Sequence, residues 1–415
     1  MQRLTALAAA LASSLGAAIG LSGLVSSCSD ATGATPGGDV VDAGADASLV
    51  DATMSAPDAP PAVPEAATDA ADASPEAGDA GDAGDGAPAD GGEEASDAGC
   101  TVGDAGEALE LRCTGLYADW ATKTVATDAF QYDPGLHLWS DGASKTRWIH
   151  LPSNPADGGV QAIDTSNVDE WTFPVGTKFW KEFVLGGKRV ETRLLWKRGP
   201  ADWYRTTYRW SDDETTAAEL TTGELDADGN GYEVPAQAAC LQCHQGRVDD
   251  VLGFEAVSLA SDGAAPFTVQ SLAAKGWIND PPDASLAIPG DAVDVAALGY
   301  LHANCGTTCH NANGAARATG FFMRLDVATL AGVTSTHAYV TGVNKPSTLA
   351  QLGNPGPQFI LAPGDVDASY VALRIATRTG VAEAGIGIQM PPIDTHKVDE
   401  AGVATVDQWI AQGCQ

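Results

Sequence analysis

The chain has 415 residues and a formal net charge of −33, with 55 acidic side chains against 22 basic ones. This length predicts two or three domains. The charge disfavours nucleic acid as a partner, because binding to phosphate requires clustered cations. It also disfavours electrostatic binding to an anionic lipid surface.

Residues 1–28 have the features of an export signal. Arg3 supplies the positive start, and residues 4–24 form an apolar stretch rich in Ala and Leu. Residues 25–28, Val-Ser-Ser-Cys, resemble a bacterial lipobox, which predicts lipidation of Cys28. The alternative is an ordinary cleaved signal peptide in which Cys28 has no role. We expect an exported lipoprotein of a Gram-negative bacterium, periplasmic or at the outer membrane or cell surface, with a lipid anchor in the membrane.

Residues 29–99 differ sharply in composition from the rest of the chain. They hold seventeen acidic side chains and no Lys or Arg, and they repeat Asp-Ala and Gly-Asp-Ala with few large apolar residues. Such a segment buries too little surface to offset the entropy of ordering. It is predicted to be a disordered acidic linker.

Cysteines near both ends of the remaining chain raise the question of disulfides. Cys100 and Cys113 flank the start of the folded region, and in an exported chain this separation predicts a disulfide between them. Cys414 is then left without an evident partner.

Residues 100–235 have a sequence pattern typical of strands and turns. Apolar and polar residues alternate over residues 170–185, and Gly186-Gly187 marks a hairpin turn. Residues 189–197 and 203–210 are predicted to be further strands. We expect an antiparallel β-sandwich-like domain that precedes an α-helical region. The polar stretch 138–148, with Asp141, Lys145 and Arg147, is either a binding loop or a turn held by side-chain hydrogen bonds, and the turn is favoured.

The segment 236–290 begins with a Cys-x-x-Cys-His motif formed by Cys240, Cys243 and His244, and then becomes a connector. This spacing is typical of covalent attachment of a c-type haem, with the histidine as an iron ligand. The main alternative is zinc, because two thiolates and an imidazole supply three of four ligands. An open sixth iron position is possible. The other candidate sixth ligands are His302, Met323, His150, His137, His337 and His396.

Residues 291–415 contain a second motif, Cys305, Cys309 and His310, with a wider step between the cysteines. Cysteines three or four positions apart lie on one face of a helical turn, so both thiols can reach one edge of a haem. Met390 follows about eighty residues later and predicts His310/Met390 ligation, the arrangement of cytochromes c. A redox pair, a zinc site and a disulfide are the alternatives.

Two helices are expected around this second motif. Residues 295–301 read as a short helix leading into it, and Val403, Val406, Trp409 and Ile410 recur at helical spacing near the C-terminus. Such helices cross closely in cytochrome c folds, and the predicted contact at the crossing is Gly299 against Trp409. The pair Pro391-Pro392 stiffens the loop that presents Met390.

Taken together, residues 139–410 resemble an uncharacterised family of exported bacterial proteins with two c-type haem motifs. The stretches that carry the resemblance are 138–143 with Lys145 and Arg147, 173–177, 191–194, 240–244, 304–310, 363–365 and 390–392. The resemblance implies binding of two haems but no known reaction. The chain departs from the family in the wider step between Cys305 and Cys309.

These observations predict an exported dihaem c-type cytochrome that transfers single electrons. Its acidic surface is expected to steer a redox partner protein with a basic docking face. Two other functions stay open. One is an oxidoreductase whose β domain binds an organic substrate, and the other is a cell-surface binding protein whose Cys/His motifs hold zinc or disulfides.

Overall fold

The computed structural model describes residues 99–104, 106–282, 286–347, 356–378 and 388–415. The predicted lipobox cysteine, Cys28, and nearly all of the predicted acidic linker lie outside the described residues. All described residues belong to one compact unit.

Antiparallel strands dominate the first half of the described chain. In chain order they are β1 (Tyr117–Asp119), β2 (Thr124–Val125), β3 (Phe130–Pro134), β4 (Ser144–His150), β5 (Lys178–Leu185), β6 (Lys188–Gly199), β7 (Asp202–Trp210), β8 (Ala217–Glu219) and β9 (Ala264–Ala265). Strands β1 and β2 pair with each other. The other seven form one antiparallel sheet in the spatial order β8-β7-β6-β5-β4-β3-β9.

The hairpin between β5 and β6 forms where the sequence predicts it. Gly186 and Gly187 have φ values of 55° and 84°. Two consecutive positive φ values match the twist of the flanking strands, and glycine adopts them without steric cost.

The two faces of the sheet bury different cores, because successive residues of a strand point to opposite sides. Trp148 and Trp180 lie on one face and pack with Leu111 near the start of the described chain. Ile149 and Phe179 lie on the other face.

The structure differs from the predicted β-sandwich in what covers this second face. The face packs against Phe254, Leu259 and Leu272, which lie in or next to short helices of the segment 236–290. These apolar side chains fill the position where a second sheet was expected. Antiparallel strands are therefore confirmed, and the layer over them is helical.

Helices follow the sheet along the chain. The described α-helices are α1 (Cys240–His244), α2 (Ala256–Ala260), α3 (Val269–Ala274), α4 (Ala292–Leu301), α5 (His337–Gly342), α6 (Tyr370–Ile375) and α7 (Glu400–Ala411). The described 3-10 turns are Leu111–Cys113, Gln237–Ala239, Arg317–Thr319, Val327–Thr329 and Val333–Ser335, and His302–Gly306 forms a π turn. Among the described residues, no helix has the length and apolar character needed to cross a membrane.

Helices α4 and α7 pack against each other, as predicted, but through a different glycine. Gly299 faces Leu136 and Ile288 rather than Trp409. The close approach is made by Gly402 of α7, where a Cβ would stand 2.2 Å from the ring of Tyr300 on α4. Trp409 is instead fixed by a 2.9 Å hydrogen bond from its indole nitrogen to Asp294.

The cysteines outside the two motifs have distinct states. Cys100 and Cys113 are joined by a disulfide. Cys414 is a free thiol, fully buried in the core formed by α4, α6 and α7. Burial raises its pKa to about 12.

Candidate functional site

The first motif occupies the short helix α1. Cys240 and Cys243 lie one turn apart, and neither thiol is bridged. The helix is attached to the sheet just before the motif, since Gln237 donates a 2.8 Å hydrogen bond to the carbonyl of Arg205 on β7. Burial raises the pKa of Cys243 to about 12.

His244 is held in an orientation suited to metal binding. Its Nδ1 lies 2.6 Å from the carbonyl oxygen of Asp250, which can only accept, so Nδ1 carries the proton. Among the described residues, no hydrogen bond engages Nε2. Burial lowers the pKa of His244 to about 4, which keeps the ring neutral near pH 7. A ligating histidine commonly has this second-shell bond from its other nitrogen.

The second motif follows α4 through a π turn, which accounts for its wider step. The amide of Thr307 bonds to the carbonyl of His302, and the amide of His310 bonds to that of Cys305, each across five residues. A π turn accommodates one more residue than an α turn. The additional residue between Cys305 and Cys309 is absorbed there, so both thiols remain on one continuous turn.

His310 repeats the arrangement of His244. Its Nδ1 lies 3.0 Å from the carbonyl oxygen of Phe321, and the two rings meet edge to face. Burial lowers the pKa of His310 below its ordinary value. The carbonyl of His310 also accepts a 2.9 Å bond from the amide of Met323, which fixes the segment that follows the motif.

Met390 is positioned through two arginines. The amide of Met390 donates to the carbonyl of Arg374 on α6 at 2.9 Å, and the guanidinium of Arg378 donates to the carbonyl of Met390 at 3.1 Å. These bonds fasten the segment that carries Met390 to α6 and to the residues just after it. The charge of Arg374 also contributes to lowering the pKa of His310.

The two motifs touch each other, although more than sixty residues separate them in sequence. The thiol of Cys309 lies 3.7 Å from the carbonyl oxygen of Gln242, inside the first motif. Gly246 permits this contact, because a Cβ there would stand 2.3 Å from the carbonyl oxygen of Thr308. Sequence reasoning did not find this contact. The glycine two positions after His244 is the one signal, and it is weak by itself.

Cys305 and His244 are half-buried side chains. Burial dominates the pKa shift of each and raises that of Cys305 to about 12.

His302, a candidate sixth ligand, is a core residue instead. The amide of Leu325 donates to its Nδ1 at 2.9 Å, and its Nε2 lies 3.2 Å from Glu255. Both ring nitrogens are engaged and the residue is fully buried, so His302 cannot serve as an iron ligand.

The remaining candidate sixth ligands are distributed over the molecule. Met323 is buried in the core of the helical region. The four other candidates each lie beside a carboxylate, as the pairs His137–Asp133, His150–Asp128, His337–Asp326 and His396–Glu233 show. His396 lies two residues after Asp394, whose charge contributes to raising the pKa of both Cys240 and Cys243.

The stretch 138–148 contains the predicted turn. The amide of Ala143 bonds to the carbonyl of Ser140 at 2.9 Å, and Asp141 has a positive φ of 50°. The carboxylate of Asp141 accepts bonds from the amides of His396 and Lys397. The turn therefore fastens the loop after Met390 to the sheet.

Within the part of the chain that the structure describes, no group of three or more His, Cys, Asp and Glu side chains is arranged to hold a metal ion. No protein-family model matches the chain. No curated protein and no solved structure matches it either. The family resemblance based on the two motifs stays a prediction.

Proposed function

We propose that this protein is an exported dihaem c-type cytochrome that transfers single electrons. The observation that carries the proposal is the shared state of the two motif histidines. In both, Nδ1 bonds to a backbone carbonyl, Nε2 has no hydrogen-bond partner among the described residues, and a pair of unbridged thiols lies within the same motif. This donor set fits a haem bound by two thioethers and one imidazole.

Each residue has a defined role in this proposal. Cys240 and Cys243 would bind one haem and Cys305 and Cys309 the other, through thioethers. His244 and His310 would be the proximal ligands, and Met390 the distal ligand at the C-terminal haem. A bound haem supplies reversible one-electron oxidation and reduction of its iron.

The contact between the two motifs supports electron transfer within one chain. The contact of Cys309 with Gln242 joins the two motifs, which would hold the two haems in this proposal. Hydrogen bonds from Nδ1 to the carbonyls of Asp250 and Phe321 hold the two histidine rings in their orientations. We infer that the sites operate as a pair.

The proposal includes a cytochrome c-like domain formed by residues 291–415 and a location outside the cytoplasm. Helices α4 and α7 pack as the first and last helices of such a domain do, and Met390 lies between them in sequence. The lipobox at Cys28 supports lipid anchoring outside the cytoplasm, and the acidic charge supports a basic redox partner.

The decisive measurement is a pyridine haemochrome spectrum of the full chain, produced together with haem-attachment machinery. We expect two haems per chain. One haem would indicate failure at the Cys305/Cys309 motif, and colourless protein would refute the function.

The distal ligand is tested separately by Met390→Ala. We expect loss of the sulfur-to-iron charge-transfer band at the red end of the spectrum and a lower reduction potential for one haem, because a thioether favours ferrous iron. Met323→Leu is the matched control, since Met323 is a core residue. If the band persists in Met390→Ala, the assignment of Met390 is wrong.

A further inference from the structure

A row of three cations crosses the main sheet on one face. Arg147 on β4 lies directly opposite Lys181 on β5, which lies directly opposite Arg193 on β6. Residues directly opposite each other in an antiparallel pair share a face, and neighbouring strands are about 4.8 Å apart. Three like charges therefore stand side by side, an arrangement that is unfavourable without anions.

The acidic side chains around this row do not balance it. Arg193 pairs with Glu191 at 2.6 Å. Among the described residues, no carboxylate forms a salt bridge with Arg147, which is only 6% exposed, or with Lys181. Asp133, whose charge acts on Arg147, already pairs with His137. Arg147 is buried and Lys181 is half-buried, and neither forms a salt bridge among the described residues, although the charges of Asp133 and Glu191 act on them.

The row ends beside the first motif. Arg205 of β7 lies on the same face and forms an ion pair with Asp250. The carbonyl of Asp250 is the group that accepts the Nδ1 proton of His244. The charges of Lys181 and Arg193 also act on the His244 ring. An anion bound at the Lys181 and Arg193 end of the row would therefore lie near whatever His244 ligates.

We propose that Arg147 and Lys181 bind a propionate carboxylate of the haem attached at Cys240 and Cys243. This inference rests on the dihaem function proposed above. The Arg147 guanidinium offers paired N–H donors that match a carboxylate, and the Lys181 ammonium adds a compact charge.

The state of Lys181 agrees with this assignment. Burial and the charges of Arg147, Lys145 and Arg193 lower the pKa of Lys181 well below its ordinary value. A carboxylate in contact with the row would favour the charged form and reverse part of that shift.

The test compares the haem-loaded wild type with Arg147→Gln and Lys181→Gln. Each variant should keep two haems per chain, while one of its two reduction potentials falls. The oxidised haem carries one more positive charge than the reduced haem, so loss of a neighbouring cation favours oxidation. We expect about a tenfold change in that equilibrium, which corresponds to about 59 mV for one electron.

Lys178→Gln is the matched control. Lys178 lies on the same strand, points to the opposite face and donates to the carbonyl of Thr114 at 2.8 Å. Its loss removes the same charge and should leave both potentials unchanged. Arg147→Lys keeps the charge and should also leave the potentials near those of the wild type. If Arg147→Gln does not fold, comparison of Arg147→Lys with Lys181→Gln still shows whether the potential depends on the charge of the row.

Three results would overturn the inference. Two haems with unchanged potentials in Arg147→Gln and Lys181→Gln would refute the cation assignment alone. Wild-type potentials that move when succinate is added at constant ionic strength would show that the row binds a free organic acid instead. Colourless wild-type protein would refute the dihaem function as well.

Discussion

At the residue scale, the protonation of single buried groups follows from their immediate neighbours. Lys145 shows this most clearly, because its Nζ donates to the carbonyls of Leu138 and Ala143 while the chain encloses it. Burial lowers its pKa to about 8, and the charge of Arg147 adds to the effect. The residue fastens the turn at Asp141 to β4.

We expect Lys145 to make the protein more stable as pH rises from about 8 to about 10.5. In this window the folded side chain loses its proton while the unfolded one keeps it, so the unfolded state binds more protons. Below about pH 8 both states are protonated and this contribution is constant. The gain is at most about 3 kcal/mol.

Urea unfolding of the wild type and Lys145→Met at several pH values from about 7 to about 10.5 measures this effect. The difference between the two proteins isolates Lys145, because tyrosine titration is common to both. Parallel pH profiles would contradict the assigned pKa.

At the scale of elements, the contact between α4 and α7 shows which residue allows two helices to approach closely. The close contact between the helices is made by Gly402 and Tyr300, whereas the sequence predicted Gly299 and Trp409. Trp409 is bound to Asp294, which also completes the N-terminal capping box of α4, so its ring is not available for the crossing. The pattern of apolar positions predicts both helices but not their relative rotation.

Gly402→Ala should destabilise the protein by up to about 2 kcal/mol, because overpacking usually costs about 1–3 kcal/mol and the roughly 1 kcal/mol by which alanine favours a helix over glycine offsets part of that cost. Gly332→Ala is the control, because a Cβ at Gly332 would meet no atom within 4 Å and its φ of −179° suits any residue. Equal midpoints of urea unfolding for Gly402→Ala and the wild type would argue against this contact.

At the scale of the whole molecule, a residue that belongs to neither motif helps to hold the two motifs together. Glu170, which precedes β5, forms salt bridges with Arg247, three residues after His244, and with Arg324, next to Met323. Together with the contact at Gly246, this network makes the sheet, the first motif and the second motif one packed assembly. If the proposed haems attach at both motifs, they lie in this one assembly, and we expect their absorption bands to interact.

We therefore expect a two-signed circular dichroism signal in the Soret region of the haem-loaded protein. Gly246→Ala should reduce its amplitude and lower stability by about 1–3 kcal/mol, because the added methyl group forces the motifs apart. Gly332→Ala again serves as the control. A signal of one sign in the wild type, with two haems bound, would contradict paired sites.

Short-range features of the chain were accessible from sequence. The hairpin at Gly186-Gly187, the strands on either side and the helices that include residues 295–301 and 403–410 follow from turn chemistry and periodicity. The Cys/His motifs are equally local. The sandwich prediction failed because it required knowing that residues 250–278, far along the chain, cover the sheet with helices.

The sequence by itself determined which residues are the candidates for chemistry and which local elements present them, because those depend on neighbours a few positions away. Only the tertiary structure decided the engagement of His302, the contact of the two motifs and the cation row of Arg147, Lys181 and Arg193. Each depends on strand register or on packing between segments tens of residues apart. The physical reason is that such contacts are selected by the free energy of the whole core, which no local pattern encodes.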